Sequence, residues 1–193
     1  DYVVKGGTVG VDYILEDIEY ITKEFSGIYP SYVKNHSFTM KVLKIMTSTP
    51  LTISTTKQTD AGIYINPGID ADITLDSVNI QARVPFNIAN SSDANNPTKV
   101  HLTVADNSSN IIKVTATEGD IIQTSGIRCG EGSYLTIDDS IRNVDENGEP
   151  VLPEQGRVSR DAILQNGMKV HEGDRLTILD SQNPGTLHVE GGP

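Results

Sequence analysis

The feature that most limits how this chain can fold is a phrase that it repeats. "GIYINPGIDADITLDS" from Gly62, "GIRCGEGSYLTIDDS" from Gly126 and "GMKVHEGDRLTILDS" from Gly167 share one pattern. Each opens with Gly, apolar, any, apolar, any, any, Gly: Gly62, Ile63, Ile65 and Gly68; Gly126, Ile127, Cys129 and Gly132; Gly167, Met168, Val170 and Gly173. Apolar residues two apart face one side of a strand, and the closing Gly permits the positive φ of a tight corner. An apolar-Thr-apolar triplet follows, as Ile73-Thr74-Leu75, Leu135-Thr136-Ile137 and Leu176-Thr177-Ile178. An Asp-Ser pair then closes each copy, at Asp76-Ser77, Asp139-Ser140 and Asp180-Ser181. The triplet recurs alone as Leu51-Thr52-Ile53 and Leu102-Thr103-Val104, and more weakly as Leu187-His188-Val189.

Short strands with inward aliphatics and outward threonines, separated by Gly, Asn and Asp, suit a solenoid or a sandwich. Repetition with insertions of variable length favours the solenoid, because each coil buries its apolar side only by stacking on its neighbours. The expected fold is therefore all-β, a right-handed parallel β-helix with equivalent strands about 4.8 Å apart, and a β-sandwich is the alternative. A chain of 193 residues fits one such domain over its whole length. Insertions at Ser91 to Lys99 and Arg142 to Asp161 are expected as outward loops. The opening differs: in "DYILEDIEYITKEF", Asp12 to Phe25, Ile14, Ile18, Ile21 and Phe25 recur at helical spacing. Asp12 suits the N-cap, and Gly27 and Pro30 suit the stop, which predicts an amphipathic helix within a helix-and-loop insertion over residues 12–38. Such a helix would either cover the end of the solenoid or bind a partner through Tyr20, Tyr29 and Tyr32, since tyrosines are frequent anchors. The strand "FTMKVLKIM", Phe38 to Met46, follows it.

A formal net charge of −11 argues against nucleic-acid binding, where affinity comes mostly from Lys and Arg on phosphates. Hydrophobic content of 36% with 21% charged residues is that of a folded domain, and no apolar run approaches the roughly 20 residues needed to span a bilayer. The chain starts at Asp1 with no basic-plus-apolar signal, which reads as a mature fragment or an excised module. The single cysteine, Cys129, falls at an inward position and reads as core.

Candidate site residues follow from the corners. Carboxylates gather at Asp70, Asp72 and Asp76 and again at Asp138 and Asp139. If the copies stack, Asp76, Asp139 and Asp180 form a column able to hold Ca2+, which takes several oxygen ligands at about 2.3 to 2.6 Å. The structural alternative is that an Asp at each corner caps turn amides. Arg128 and Arg175 occupy outward positions beside this column, as anion contacts or as a plain solvated face. His36, His101, His171 and His188 are scattered, with no HExxH pair, and no GxSxG elbow occurs. The chain therefore reads as non-catalytic. With no Trp and 5% aromatics, it does not read as a stacking-type cellulose binder.

"TSTPLTIS" followed by "AGIYINPGIDADITLDSVNI", with "GGTVGVDY" near the start, resembles the repeat signature of bacterial extracellular carbohydrate-binding β-helix domains. The similarity covers Gly6 to Tyr13 and Val42 to Ile141. It implies an extracellular or cell-surface location and a polysaccharide ligand, with calcium in some members. The chain departs from that family in residues 14–38 and 142–161, which add surface able to recognise a protein. Two readings follow: a non-catalytic carbohydrate-binding module of a bacterial secreted or surface protein, or an adhesin domain for a host glycoprotein such as mucin or for immunoglobulin.

Overall fold

The structure, a computed structural model, describes residues 1–25, 33–115, 125–139, 162–165, 175–176 and 185–191. Among these residues the chain is all-β, with fifteen strands in three sheets. The first sheet runs β1 (Tyr2–Lys5), β4 (Leu51–Thr55), β6 (Asp70–Leu75), β9 (Thr98–Val104), β12 (Ser133–Asp139), β13 (Ala162–Gln165). The second runs β11 (Ile127–Cys129), β8 (Phe86–Ile88), β5 (Gly62–Ile65), β3 (Val33–Ile45), β2 (Tyr13–Phe25). The third runs β14 (Arg175–Leu176), β15 (Thr186–Glu190), β10 (Ser109–Val114), β7 (Asn79–Ala82).

Matched apolar positions explain this pairing. In the first sheet Leu51 pairs with Ile73, Ile73 with Leu102, and Leu102 with Ile137, all in parallel register. In the second, Leu43 pairs with Ile63, Ile63 with Phe86, and Phe86 with Ile127. In the third, Ile112 lies between Ile80 and Val189. These side chains join one buried cluster that draws on all three sheets. Burying each large aliphatic side chain contributes about 1.5–3 kcal/mol. Polar residues are buried as well, and Asn110, 1% exposed, has both ends of its amide engaged. Its Oδ1 accepts from the Val78 amide at 3.0 Å, and its Nδ2 donates to Ser108 Oγ at 2.7 Å and the Thr186 carbonyl at 3.1 Å.

Two sequence expectations are corrected here. The sheets are mixed and do not close, so the chain does not form the right-handed parallel β-helix that the repeat suggested. Four strand pairs are antiparallel: β1 on β4, β13 on β12, β2 on β3, and β14, from the third copy of the repeat, on β15. Three sheets also differ from the two facing layers of a sandwich.

The second correction is the N-terminal helix, because Tyr13 to Phe25 is a strand, paired along its length with β3. Ile14 and Ile18 satisfy a period of two as well as one of 3.6, and Ile21 and Thr22 add to the β-branched content that strands favour. Burial follows period two: Ile14, Glu16, Ile18 and Tyr20 are half-buried, whereas Leu15, Asp17, Glu19 and Ile21 are exposed.

Of the thirteen β2–β3 pairs, four use β3 residues that also pair with β5, namely Val42 to Ile45. The remaining pairs form a two-stranded arm about 30 Å long. Its inner side lies back on the outer face of the second sheet. Tyr20 stacks on Phe38 with ring centres 5.4 Å apart, and the Arg83 guanidinium lies 4.1 Å from the centre of the Phe38 ring.

The continuity of the core yields a first prediction. Replacing Leu102 with Ala removes the middle of the Leu51–Ile73–Leu102–Ile137 file and is expected to cost about 2–5 kcal/mol. Thr74→Ala, on the outer side of the adjacent strand, is expected to cost about 0.5 kcal/mol or less. Urea midpoints of the two variants check this, and equal losses would contradict it.

Candidate functional site

An open groove of about 550 Å³ lies where the loop after β8 meets the turn between β11 and β12. Tyr134 and Pro97 line it together with Asn90, Ser91, Asp93 and Glu131. The strand parity of β12 explains Tyr134. Leu135 and Ile137 point into the core, so Tyr134 points outward, and it is 37% exposed.

The loop is held by its own polar residues. Ser91 Oγ donates to the Asn96 carbonyl at 2.7 Å, the Ser91 amide donates to the Glu131 carbonyl at 2.9 Å, and Asp93 Oδ1 accepts from the Asn95 amide at 2.9 Å. Gly132 closes the opposite wall with φ of +69°, and a Cβ there would lie 2.3 Å from the Ser91 carbonyl oxygen. A side chain at this position is excluded on both counts.

Arg128 stands behind the groove rather than in it. It belongs to an outward row across the second sheet, Lys44–Tyr64–Asn87–Arg128, with each residue in register with the next. Its Nη1 donates to Asn87 Oδ1 at 3.1 Å and its Nη2 to Asn90 Oδ1 at 3.2 Å. The Glu131 amide donates to the same Asn90 oxygen at 3.1 Å. These two bonds orient the Asn90 amide, so its Nδ2 hydrogens are the donors that it brings to the groove.

Tyr20 of the arm lies over this row. Its hydroxyl is enclosed beside Asn87 and makes no hydrogen bond of good geometry. Burial, reinforced by nearby Tyr64, pushes its ionisation from 10.0 up to about 12, against the opposing pull of Asn87 and Arg128. Tyr20 is thus half-buried, with its hydroxyl enclosed. Tyr29 and Tyr32 lie outside the described residues, as does the 142–161 insertion.

The two corner aspartates that are described, Asp76 and Asp139, are staggered in the register. The triplets at Leu51, Ile73 and Leu102 align as their sequences suggest, but Leu135 pairs with Val100 and Ile137 with Leu102. The copy at Gly126 is therefore offset by two residues. A shift of two keeps every side chain on its own face, so the apolar pattern does not reveal it. Asp139 then sits opposite Val104, whose other neighbour is Leu75, and β9 separates the β6 corner at Asp76 from β12. In backbone position Asp139 thus lies two strand spacings, about 10 Å, from the β6 corner. Asp180 lies outside the described residues, and Arg175 falls on β14 opposite His188.

The offset creates a different neighbourhood on the outer face of the first sheet. His101 pairs with Asp72 on one side and Thr136 on the other, and its Nε2 lies 3.6 Å from Asp138 Oδ2. Among the described residues, no three His, Cys, Asp or Glu side chains are grouped to hold a metal ion. Cys129 is fully buried, where burial pushes its thiol up, and its Sγ lies 3.2 Å from Ser133 Oγ.

Sequence reading did not single out Tyr134, Asp93 or Glu131, and Asn90, in an N-x-S sequon, reads from sequence as turn chemistry. Two signals were present: an aromatic at an outward strand position, and the turn-rich insert "SSDANNP".

The enclosure of Tyr20 makes the arm sensitive to alkali. A tyrosine with a raised folded pKa stabilises the fold fully below pH 10, and that contribution is lost as pH rises towards 12. Tyr2, buried with its hydroxyl donating to the Ala61 carbonyl at 2.7 Å, is shifted upward as well and contributes in the same direction. Unfolding midpoints between pH 9 and about 12 are expected to fall less steeply for Tyr20→Phe than for the parent chain. Identical slopes would contradict the enclosure.

Comparison of the chain with family models, curated proteins and solved structures finds no match, so the reading of this groove rests on its own chemistry.

Proposed function

We propose that the chain is a non-catalytic carbohydrate-binding module of a bacterial secreted or surface protein, and that it binds its ligand in the groove at Tyr134. The observation that carries this reading is the placing of an outward Tyr134 ring against oriented amide, hydroxyl and carboxylate groups on one open groove. A sugar ring has an apolar C–H face and a rim of hydroxyls, and it needs both kinds of wall. Tyr134 and Pro97 supply the first. Asn90 Nδ2 and the carboxylates of Asp93 and Glu131 supply the second. The volume lies within the roughly 300–1,000 Å³ of ordinary small-ligand sites. Neither Asp76 nor Asp139 lines the groove, so binding there is expected without calcium at those corners.

A second reading, a protein-binding adhesin domain, is favoured by one observation. On β2, at the edge of the second sheet, Leu15 is 46% and Ile21 66% exposed. An exposed strand edge with apolar side chains is a surface on which an extended partner can pair.

One array of glycans and host secreted proteins, probed with calcium and with EDTA, separates the two. The expected result is an EDTA-insensitive glycan signal that weakens at least about tenfold, or 1.4 kcal/mol, in Tyr134→Ala. A signal on a protein that survives Tyr134→Ala and is lost in Leu15→Ser or Ile21→Ser would replace the first reading with the second.

A further inference from the structure

Resting on the carbohydrate-binding reading, we infer that the groove selects glycans carrying protonated amino groups, such as glucosamine oligomers, and rejects uronic-acid polymers. The charges around the groove point one way. Asp93 and Glu131 both line it, both are exposed, and no lining residue among those described is Lys or Arg. Asp93 Oδ1 is engaged by the Asn95 amide, which fixes the carboxylate and leaves Oδ2 for a ligand cation. Arg128 does not line the groove, and one N–H of each of its terminal nitrogens is taken by Asn87 and Asn90. Lys99, in register with Tyr134 on β9, does not line the groove.

An ammonium group in the groove would gain charge-assisted hydrogen bonds to carboxylates, which are roughly twice as strong as neutral ones. A uronate would instead meet two like charges, on a chain whose formal charge is already −11. Calcium could relieve that repulsion only at a cluster of oxygen ligands, and no metal-holding group of three is formed among the described residues. Asn90 Nδ2 would donate to a ring hydroxyl beside the amine, and Tyr134 would pack under the ring. Selectivity for the amine thus lies in the carboxylates, which also share with Asn90 and Tyr134 in holding the sugar.

Calorimetric titration of the full chain, in low salt with EDTA, tests this with three probes of equal length: glucosamine oligomers, their fully N-acetylated counterparts, and oligogalacturonates. The expected order is glucosamine tightest, by about tenfold over the N-acetylated probe, with oligogalacturonate weakest. The double variant Asp93→Asn, Glu131→Gln is expected to collapse the ratio of glucosamine to N-acetylated affinity towards one, with an unchanged urea midpoint showing that it folds. A ratio that survives the double variant overturns the inference, as does oligogalacturonate binding as tightly as glucosamine. Binding of all N-acetylated and free-amine probes alike, lost in Tyr134→Ala, overturns the amine selectivity and leaves the carbohydrate reading standing. Binding of none of them overturns both. An oligolysine of matched charge that binds as tightly as the glucosamine probe would show a groove that reads cations rather than sugars, and overturns the ligand class.

Discussion

The file of side chains Leu51, Ile73, Leu102 and Ile137 is the contact on which the rest of this structure depends. Each strand of the first sheet is hydrogen-bonded to the next with its inward aliphatic residues in register, and corresponding files run through the other two sheets to one shared core. A slip of one residue would turn the whole apolar set of a strand outward, so the register is strongly held. Holding the inward positions also frees the alternate ones. Tyr134, Thr136 and Asp138 on β12, and Asn87 and Arg128 in the second sheet, point outward because their neighbours must point in. The groove is thus a by-product of the core, built from positions that the core does not use.

The corners need separate accounting, because the chain turns there without a ladder to satisfy its polar groups. Small polar side chains take that role. Thr98 Oγ1 accepts the Gly68 amide at 3.0 Å, Ser133 Oγ donates to the Gly130 carbonyl at 2.6 Å, and Asn110 links residues from the Val78 corner to Thr186. All three are buried, where an unpaired polar group would cost about 1–3 kcal/mol. Ser133 has a second consequence. By fixing the turn that holds Glu131 and Gly132, it sets the far wall of the groove, so the side that must be satisfied for folding is also the side that faces the ligand.

Much of the core was legible from spacing alone. Ile63 and Ile65, Ile127 and Cys129, and the apolar ends of the triplets at Leu51, Ile73, Leu102 and Leu135 fall on the faces that alternation assigns them. Gly68 and Gly132 do adopt the positive φ that their position after each strand suggests. The misreadings have physical causes. Ile14 and Ile18 are four apart, a spacing common to a helix and to a strand, and the arm's real signal, half-buried Ile18 and Tyr20 facing Met40 and Phe38, depends on a partner strand twenty residues away. The stagger of Asp139 against Asp76 was not legible because "LTIDD" fits its neighbour two residues out of step, and a two-residue shift is silent in a pattern of period two. The groove was hidden for a related reason. It joins Asn90 to Tyr134, and only the fold shows that these loops meet.

Arg128 shows how far a residue's role can differ from its type. An outward arginine on an acidic protein invites an anion, but this one is placed between two asparagines. Through Asn87 it touches the row on which Tyr20 of the arm lies, and through Asn90 it touches the groove. The arm and the groove are therefore two ends of one polar row, with Arg128 as its last strut. A strut needs directional donors on both sides, and the guanidinium supplies them in a rigid plane that a lysine lacks. Two of its N–H groups hold the Asn87 and Asn90 amides in one orientation. The charged side chains that line the groove itself are Asp93 and Glu131, which gives it the chemistry of a carboxylate site although an arginine stands directly behind it.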